Sequence, residues 1–147
     1  MVRAFETYHV TKRTPDPARA AHLDAESERT IRFIRIVRER IGLNDDNATI
    51  LIRLAYDALL ERIRARMHEA GYKATGHGAH EVEVAYLQEL DVPEPDVRFA
   101  DDLRKLRNSI TYAGDEAGAN DAAHVIESVE RIRTMIKGSP DTREYPS

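Results

Sequence analysis

Arg107 and Asn108 stand side by side in the stretch LRKLRNSITYAG, residues 103–114, with Tyr112 five positions after the arginine and Gly114 beyond it. A guanidinium keeps its charge at neutral pH and presents parallel N–H donors. It can clamp a phosphate or stabilise the negative charge that develops when a phosphodiester is attacked. An asparagine beside it can orient substrate or backbone, and a tyrosine hydroxyl can donate a proton or a hydrogen bond. On a helix, Arg104 and Thr111 fall close to Asn108, forming a polar edge beside the apolar stripe of Leu103, Leu106 and Ile110. Five residues turn an ideal helix by about 500°, so Arg107 and Tyr112 start roughly 140° apart around the axis. Either two copies of the helix complete one cleft, or the helix breaks near Gly114. The same residues also have a structural use, in which Arg107 and Asn108 make hydrogen bonds in a seam between two copies while Tyr112 packs as an amphipathic side chain.

Two further arginine clusters bear on nucleic acid. Residues 29–40 hold Arg29, Arg32, Arg35, Arg38 and Arg40 against one acid, Glu39, and Arg62, Arg64 and Arg66 follow later. Such strips can neutralise RNA phosphates, with Arg32 and Arg35 the candidates on the first strip. They can equally be solvated helix faces whose charges meet Glu26, Glu28, Glu61 and Glu69. His77 and His80, with His68 before them and Glu81 or Glu83 after, have the spacing of a metal clip. A Gly-flanked loop is a poor cage, so a polar loop leading into a helix is preferred and no metal or other cofactor is expected. His124 is the histidine available to stand near the Arg-Asn helix if the last two helices pack as a hairpin. There is no phosphate-binding GxxxxGK[ST] loop, no dinucleotide fingerprint and no nucleophile elbow, which sets aside phosphate-loop nucleotidases and hydride-transfer enzymes.

The elements that must position these residues are helices. The chain has 147 residues, enough for one core, and its seven glycines and six prolines fall where helical spacing starts or stops. A first helix is read over roughly 17–41, with Leu23, Ile31, Ile34, Val37 and Ile41 as its stripe. A second runs to Gly71, with Ile50, Leu51, Leu54, Leu59, Ile63 and Met67, after a capping stretch LNDDNA. The segment EVEVAYL reads as a short third helix carrying Val82, Ala85, Tyr86 and Leu90. A strand is the alternative there, but a lone strand would leave both edges unpaired. The prolines of VPEPD start a fourth helix, and a fifth spans about 119–137 with Ala122, Val125, Ile126, Val129, Ile132 and Ile136 inside. No β-hairpin is read. The expected fold is an all-α, mostly up-and-down bundle of four to five helices over residues 16–138. An N-terminal arm, 1–15, precedes it, and a disordered tail, 139–147, follows. Within the arm, RAFETYHV alternates apolar and polar residues and is expected to lie over a neighbouring protomer. A net charge of −4 gives no overall attraction to nucleic acid, and with no cysteine, no leader-like apolar run and no membrane span the expected location is the cytoplasm.

The sequence resembles the HEPN domain family of small helical bundles. Two stretches carry the likeness: YDALLERIRARMHEAGYKATGHGAHEVEVAYLQEL, residues 56–90, and LRKLRNSITYAG, which resembles the family's Arg-x4–6-His signature with asparagine directly after the arginine. With the following helix they span most of residues 45–137. The resemblance implies a HEPN-like bundle that forms a homodimer, joins its Arg-Asn-His helices in one cleft, and cleaves RNA as a metal-independent endoribonuclease of the toxin–antitoxin type beside a nucleotidyltransferase-type partner. Carried onto this chain, the signature falls on Arg107 and Asn108, with Tyr112 where the histidine would be. At neutral pH a tyrosine acting as base carries a population deficit of about 4 kcal/mol relative to a histidine. A weak ribonuclease and a non-catalytic homodimer that binds nucleotide, RNA or a nucleotidyltransferase-type protein therefore both remain open at this point.

Overall fold

The computed structural model describes residues 10–114 and 116–136. Five α-helices dominate: α1 (Pro17–Arg40), α2 (Ala48–Ala70), α3 (Ala79–Ala85), α4 (Glu94–Asn108) and α5 (Ala119–Met135). A 3₁₀ turn, Tyr86–Leu90, extends α3, and a π-helical turn, Ser109–Ala113, extends α4. The helices form an all-α, up-and-down bundle. Besides them, β1 (Val10–Lys12) and β2 (Tyr72–Ala74) pair antiparallel, with Val10 opposite Ala74 and Lys12 opposite Tyr72.

α2 is the central element. Leu51, Ile52, Ala55, Tyr56, Leu59, Ile63 and Met67 are buried on more than one of its sides, and Ala48, Ala58 and Ala65 keep its surface low enough for neighbours to approach. This changes the expected stripe at one end: Ile50 is 56% exposed, because the helix is rotated to bury Ile52 instead. α1 lies along it through Ala20, Leu23, Ile31 and Ile34, while Ile41 is exposed at the helix end. α5 and its C-cap residue Ile136 bury all six apolar residues that the spacing singles out, from Ala122 to Ile136. The segment EVEVAYL is helical, and Val84 and Leu87 join Val82 and Tyr86 in the core.

Polar side chains fix the joints. Asp16 Oδ1 accepts from Arg19 N–H (3.0 Å) at the start of α1. In the loop before α2, Asn44 and Asn47 each accept the other's backbone N–H, at 2.9 and 3.0 Å. Asp45 reaches across to accept from Ala119 N–H (3.0 Å), so one loop supports the starts of two helices. Buried Ser27 donates to the Ala58 carbonyl (2.6 Å) and accepts from Arg133 Nε (2.9 Å), linking α1, α2 and α5. Gly71 closes α2 at φ 83° and accepts from Arg13 N–H (2.7 Å). A Cβ there would stand 2.4 Å from the Arg13 carbonyl, so glycine is required for the chain to pass.

The described end of the arm therefore pairs with its own chain at β2. The rest of the expected arm, residues 1–9, and the expected tail, 139–147, lie outside the described residues. No described helix is long and apolar enough to cross a membrane.

Candidate functional site on the face of α2, α3 and α4

Arg107 and Asn108 occupy the last turn of α4, both half-buried, and the backbone changes from α to π directly after them. Gly114 ends the π turn at φ 73°, its N–H donating to the Ser109 carbonyl five residues back. A turn closed by i to i+5 bonds is wider than an α turn, which reduces the angular offset between positions five apart. The backbone of residue 112 lies inside this turn; the side chain of Tyr112 is outside the described residues, and Thr111 is exposed. The expected break near Gly114 thus takes the form of a widened turn.

The side chains gathered near Arg107 come from three helices. Tyr56, at 1% exposure, points its hydroxyl into the protein with no hydrogen-bond partner among the described residues, and Arg107 Nε is buried and equally without a partner. Burial drives the Tyr56 hydroxyl far above the usual phenol range and Glu83 adds to this, while Arg104, Arg107 and Arg64 pull the other way. Asp57, next along α2, is raised by burial against the opposing charges of Arg107, Arg64, His80 and Arg53. Arg104 is held at the edge: its Nε donates to Asp101 Oδ1 (2.9 Å), and Lys105 approaches the other oxygen at 3.3 Å. Burial pushes Asp101 up, but the bonds from Arg104 and Lys105 outweigh it and leave the carboxyl below its ordinary range.

Arg64 forks onto Glu83, with Nε 2.7 Å from Oε2 and Nη2 3.1 Å from Oε1, and Glu83 is 5% exposed. The same Glu83 Oε1 lies 3.1 Å from His80 Nδ1. Arg64 Nη2 stands 3.2 Å from the same Nδ1, so this ring nitrogen meets both a guanidinium, which only donates, and a carboxylate, which only accepts, and the half-exposed ring is held against the Arg64–Glu83 pair. The His80 ring also meets Tyr56 edge-on, with centroids 6.4 Å apart. His80 is thus held against the Arg64–Glu83 pair and edge-on to the Tyr56 ring, on which Arg104 and Arg107 act through their charge.

This constellation differs from the expected one in its histidine. The loop role proposed for His80 gives way to a Glu83 contact, for which the helical i, i+3 spacing in HEVE was the available signal. Tyr56 and Asp57 look in the sequence like parts of an apolar stripe and its polar edge, and give no signal. His124, the expected substitute, meets Phe99 edge-on with centroids 5.5 Å apart and lines a small recess with Leu103 and Leu106, to which Arg107 does not contribute.

The arginine clusters are mostly engaged within the bundle. Arg35 bonds Glu130 on α5 at 2.6 and 2.9 Å, Arg38 bonds Glu127 at 2.8 Å, and Arg29 pairs with Glu26. Arg32 is exposed and has no pair among the described residues. Arg66 is buried against Asp24 and Glu69, Arg62 reaches the same Asp24 at 3.2 Å, and Arg64 is spent on Glu83. The second cluster is therefore an internal ion-pair network, not a surface strip. Among the described residues no three potential metal ligands converge. Among the described residues the large exposed apolar side chains, Phe33, Ile36, Ile41 and Ile50, lie on α1, its end and the start of α2, and none is on α4. No family model, no curated protein and no solved structure matches the chain.

Proposed function

We propose that this is a HEPN-like RNA-acting protein in which Arg107 and Arg104 take phosphate groups at the end of α4 and cleavage, slow and independent of metal, draws its proton exchange from His80. The observation that carries the reading is Arg107, half-buried at the end of α4 with an Nε that has no partner among the described residues, acting with Arg104 through its charge on buried Tyr56, whose ring meets His80 edge-on. Buried donors without acceptors are costly and uncommon in folded proteins, and a phosphate oxygen is an acceptor suited to a guanidinium. Asn108 would orient the strand, and Tyr112 would donate from the widened turn. A nucleotidyltransferase-type antitoxin and a second copy meeting along α4 belong to the same reading.

The test is cleavage of a mixed-sequence RNA in the presence of chelator. We expect slow cleavage by the wild type, loss in Arg107→Ala and His80→Ala, reduction in Asn108→Ala, and a faster rate near neutral pH in Tyr112→His. Equal rates in wild type and Arg107→Ala would overturn the assignment. A second reading, a non-catalytic homodimer that binds RNA or a protein partner, is favoured by the exposed Phe33, Ile36 and Ile41. It predicts no cleavage by any variant, and a sedimentation mass twice the 16.7 kDa of the chain that falls to the monomer value in Phe33→Ser/Ile36→Ser.

A further inference from the structure

Arg64 and Glu83 also line a second recess, of about 480 Å³, to which His80, Arg104 and Arg107 do not contribute. Its apolar part is made by Leu23 and Met67, with Tyr72 beside them, and its basic part by Arg19, His68 and Lys73. These three basic groups come from different elements: the first turn of α1, the last turn of α2, and β2. Their nearness is felt at His68, whose proton affinity is lowered first by burial and then by Arg19, with Lys73 adding to it, against the opposing charges of Asp16 and Glu83. Of the two acids that border the recess, one caps a helix and the other is in an ion pair. Asp16 accepts the backbone N–H of Arg19, and Glu83 is held by Arg64 and His80. Arg19 and Lys73 have no acidic partner among the described residues.

With Arg64 balancing Glu83, Arg19 and Lys73 stand against Asp16 alone, and this positive excess beside the His68 imidazole makes a site for an anion. The volume falls in the range of small-ligand pockets, and the apolar floor leaves room for more than the anionic group. Two cations and an imidazole that can gain a proton when an anion arrives match the three terminal oxygens and second ionisation of a phosphoryl group better than the two oxygens of a carboxylate. We propose that this recess binds a small organic phosphomonoester, its phosphoryl group held by Arg19, His68 and Lys73 and its apolar part resting on Leu23, Met67 and Tyr72. The site shares none of Arg104, Arg107 or Tyr112, so it stands or falls separately from the RNA reading.

Calorimetric titration of the full chain with phenyl phosphate, inorganic phosphate and benzoate tests it. Phenyl phosphate should saturate one site per chain and bind more tightly than either of the others. Arg19→Gln and Lys73→Gln should each weaken it by about tenfold, the scale of one charge-assisted hydrogen bond, and Arg107→Ala should leave it unchanged. A measurement that needs no substitution is the imidazole titration of His68 by NMR, whose midpoint should move upward when phenyl phosphate is added. Absence of saturable binding, an unmoved His68 midpoint, or full affinity in a folded Arg19→Gln/Lys73→Gln protein would overturn the proposal. Equal affinity for benzoate would overturn the assignment to phosphate.

Discussion

Along the seam between α1 and α5, and between α1 and α2, arginines meet carboxylates: Arg35 with Glu130, Arg38 with Glu127, Arg133 with Glu28, Arg66 with Asp24. At the end of α4, Arg107 is half-buried and its Nε faces no acceptor among the described residues. The two regions have similar composition and differ in their ion pairs: Arg62 Nε and Arg66 Nη1 are also buried without a hydrogen bond, but both side chains meet Asp24, whereas Arg107 has no ion pair among the described residues. A paired arginine contributes to holding helices in register. One that is desolvated without a partner adds cost to the fold and keeps its hydrogen-bonding capacity for something else. The contrast separates arginines that serve architecture from those available to a ligand, which the count of arginines in a segment does not.

The largest effect should come from the paired region. Asp24→Ala removes the carboxylate shared by Arg62 and buried Arg66, and we expect a loss of about 3 kcal/mol in urea unfolding, because an uncompensated guanidinium is left inside. A loss below about 1 kcal/mol would mean that Glu69 and water suffice for Arg66. On the other side of the comparison, Arg107→Met should leave the unfolding free energy within about 1 kcal/mol of wild type, or raise it, since an unsatisfied buried donor is replaced by an apolar chain of similar length. RNA affinity in a filter-binding assay should fall in the same variant. A large destabilisation would instead place Arg107 with the architectural arginines.

A smaller effect concerns His68. Its folded-state proton affinity is lowered, chiefly by burial, so the folded protein binds this proton less readily than the unfolded chain. Its contribution to stability is therefore complete above the unfolded midpoint of about 6.5 and declines as pH falls below that toward the folded value. Unfolding measured between pH 7.5 and pH 5 in wild type and His68→Gln should show a shallower slope in the variant, and parallel slopes would contradict the assignment. The smallest effect is expected for Arg35→Gln, whose partners are exposed or half-exposed. A change under about 0.5 kcal/mol, shrinking further in high salt, is the outcome for a surface pair.

Much of the architecture was legible because it depends on short-range rules. The apolar spacing of α5 marks Ala122, Val125, Ile126, Val129, Ile132 and Ile136, and all six are buried; the prolines before α1 and α4 and the glycine after α2 mark real boundaries. The strand pair was not legible. Val10–Lys12 and Tyr72–Ala74 are three residues each, too short for an alternating pattern, and their pairing requires Arg13 to pass over Gly71. At the candidate site, Arg107 and Asn108 stand out as polar residues beside an apolar stripe, whereas the part played by His80 and Tyr56 had to wait for the packing of three helices.

By itself, then, the sequence determined which segments are helical, which faces turn inward and where the helices stop, since helical periodicity and the backbone limits of proline and glycine act within a few residues. Tertiary structure alone decided which charges are spent. Arg64, Arg66 and Arg107 are alike as residues, and the arrival of Glu83 from α3 and Asp24 from α1 engages the first two, while among the described residues no carboxylate pairs with Arg107. Coulomb energy and desolvation depend on distance and burial in space, which residue type and spacing along one helix do not specify.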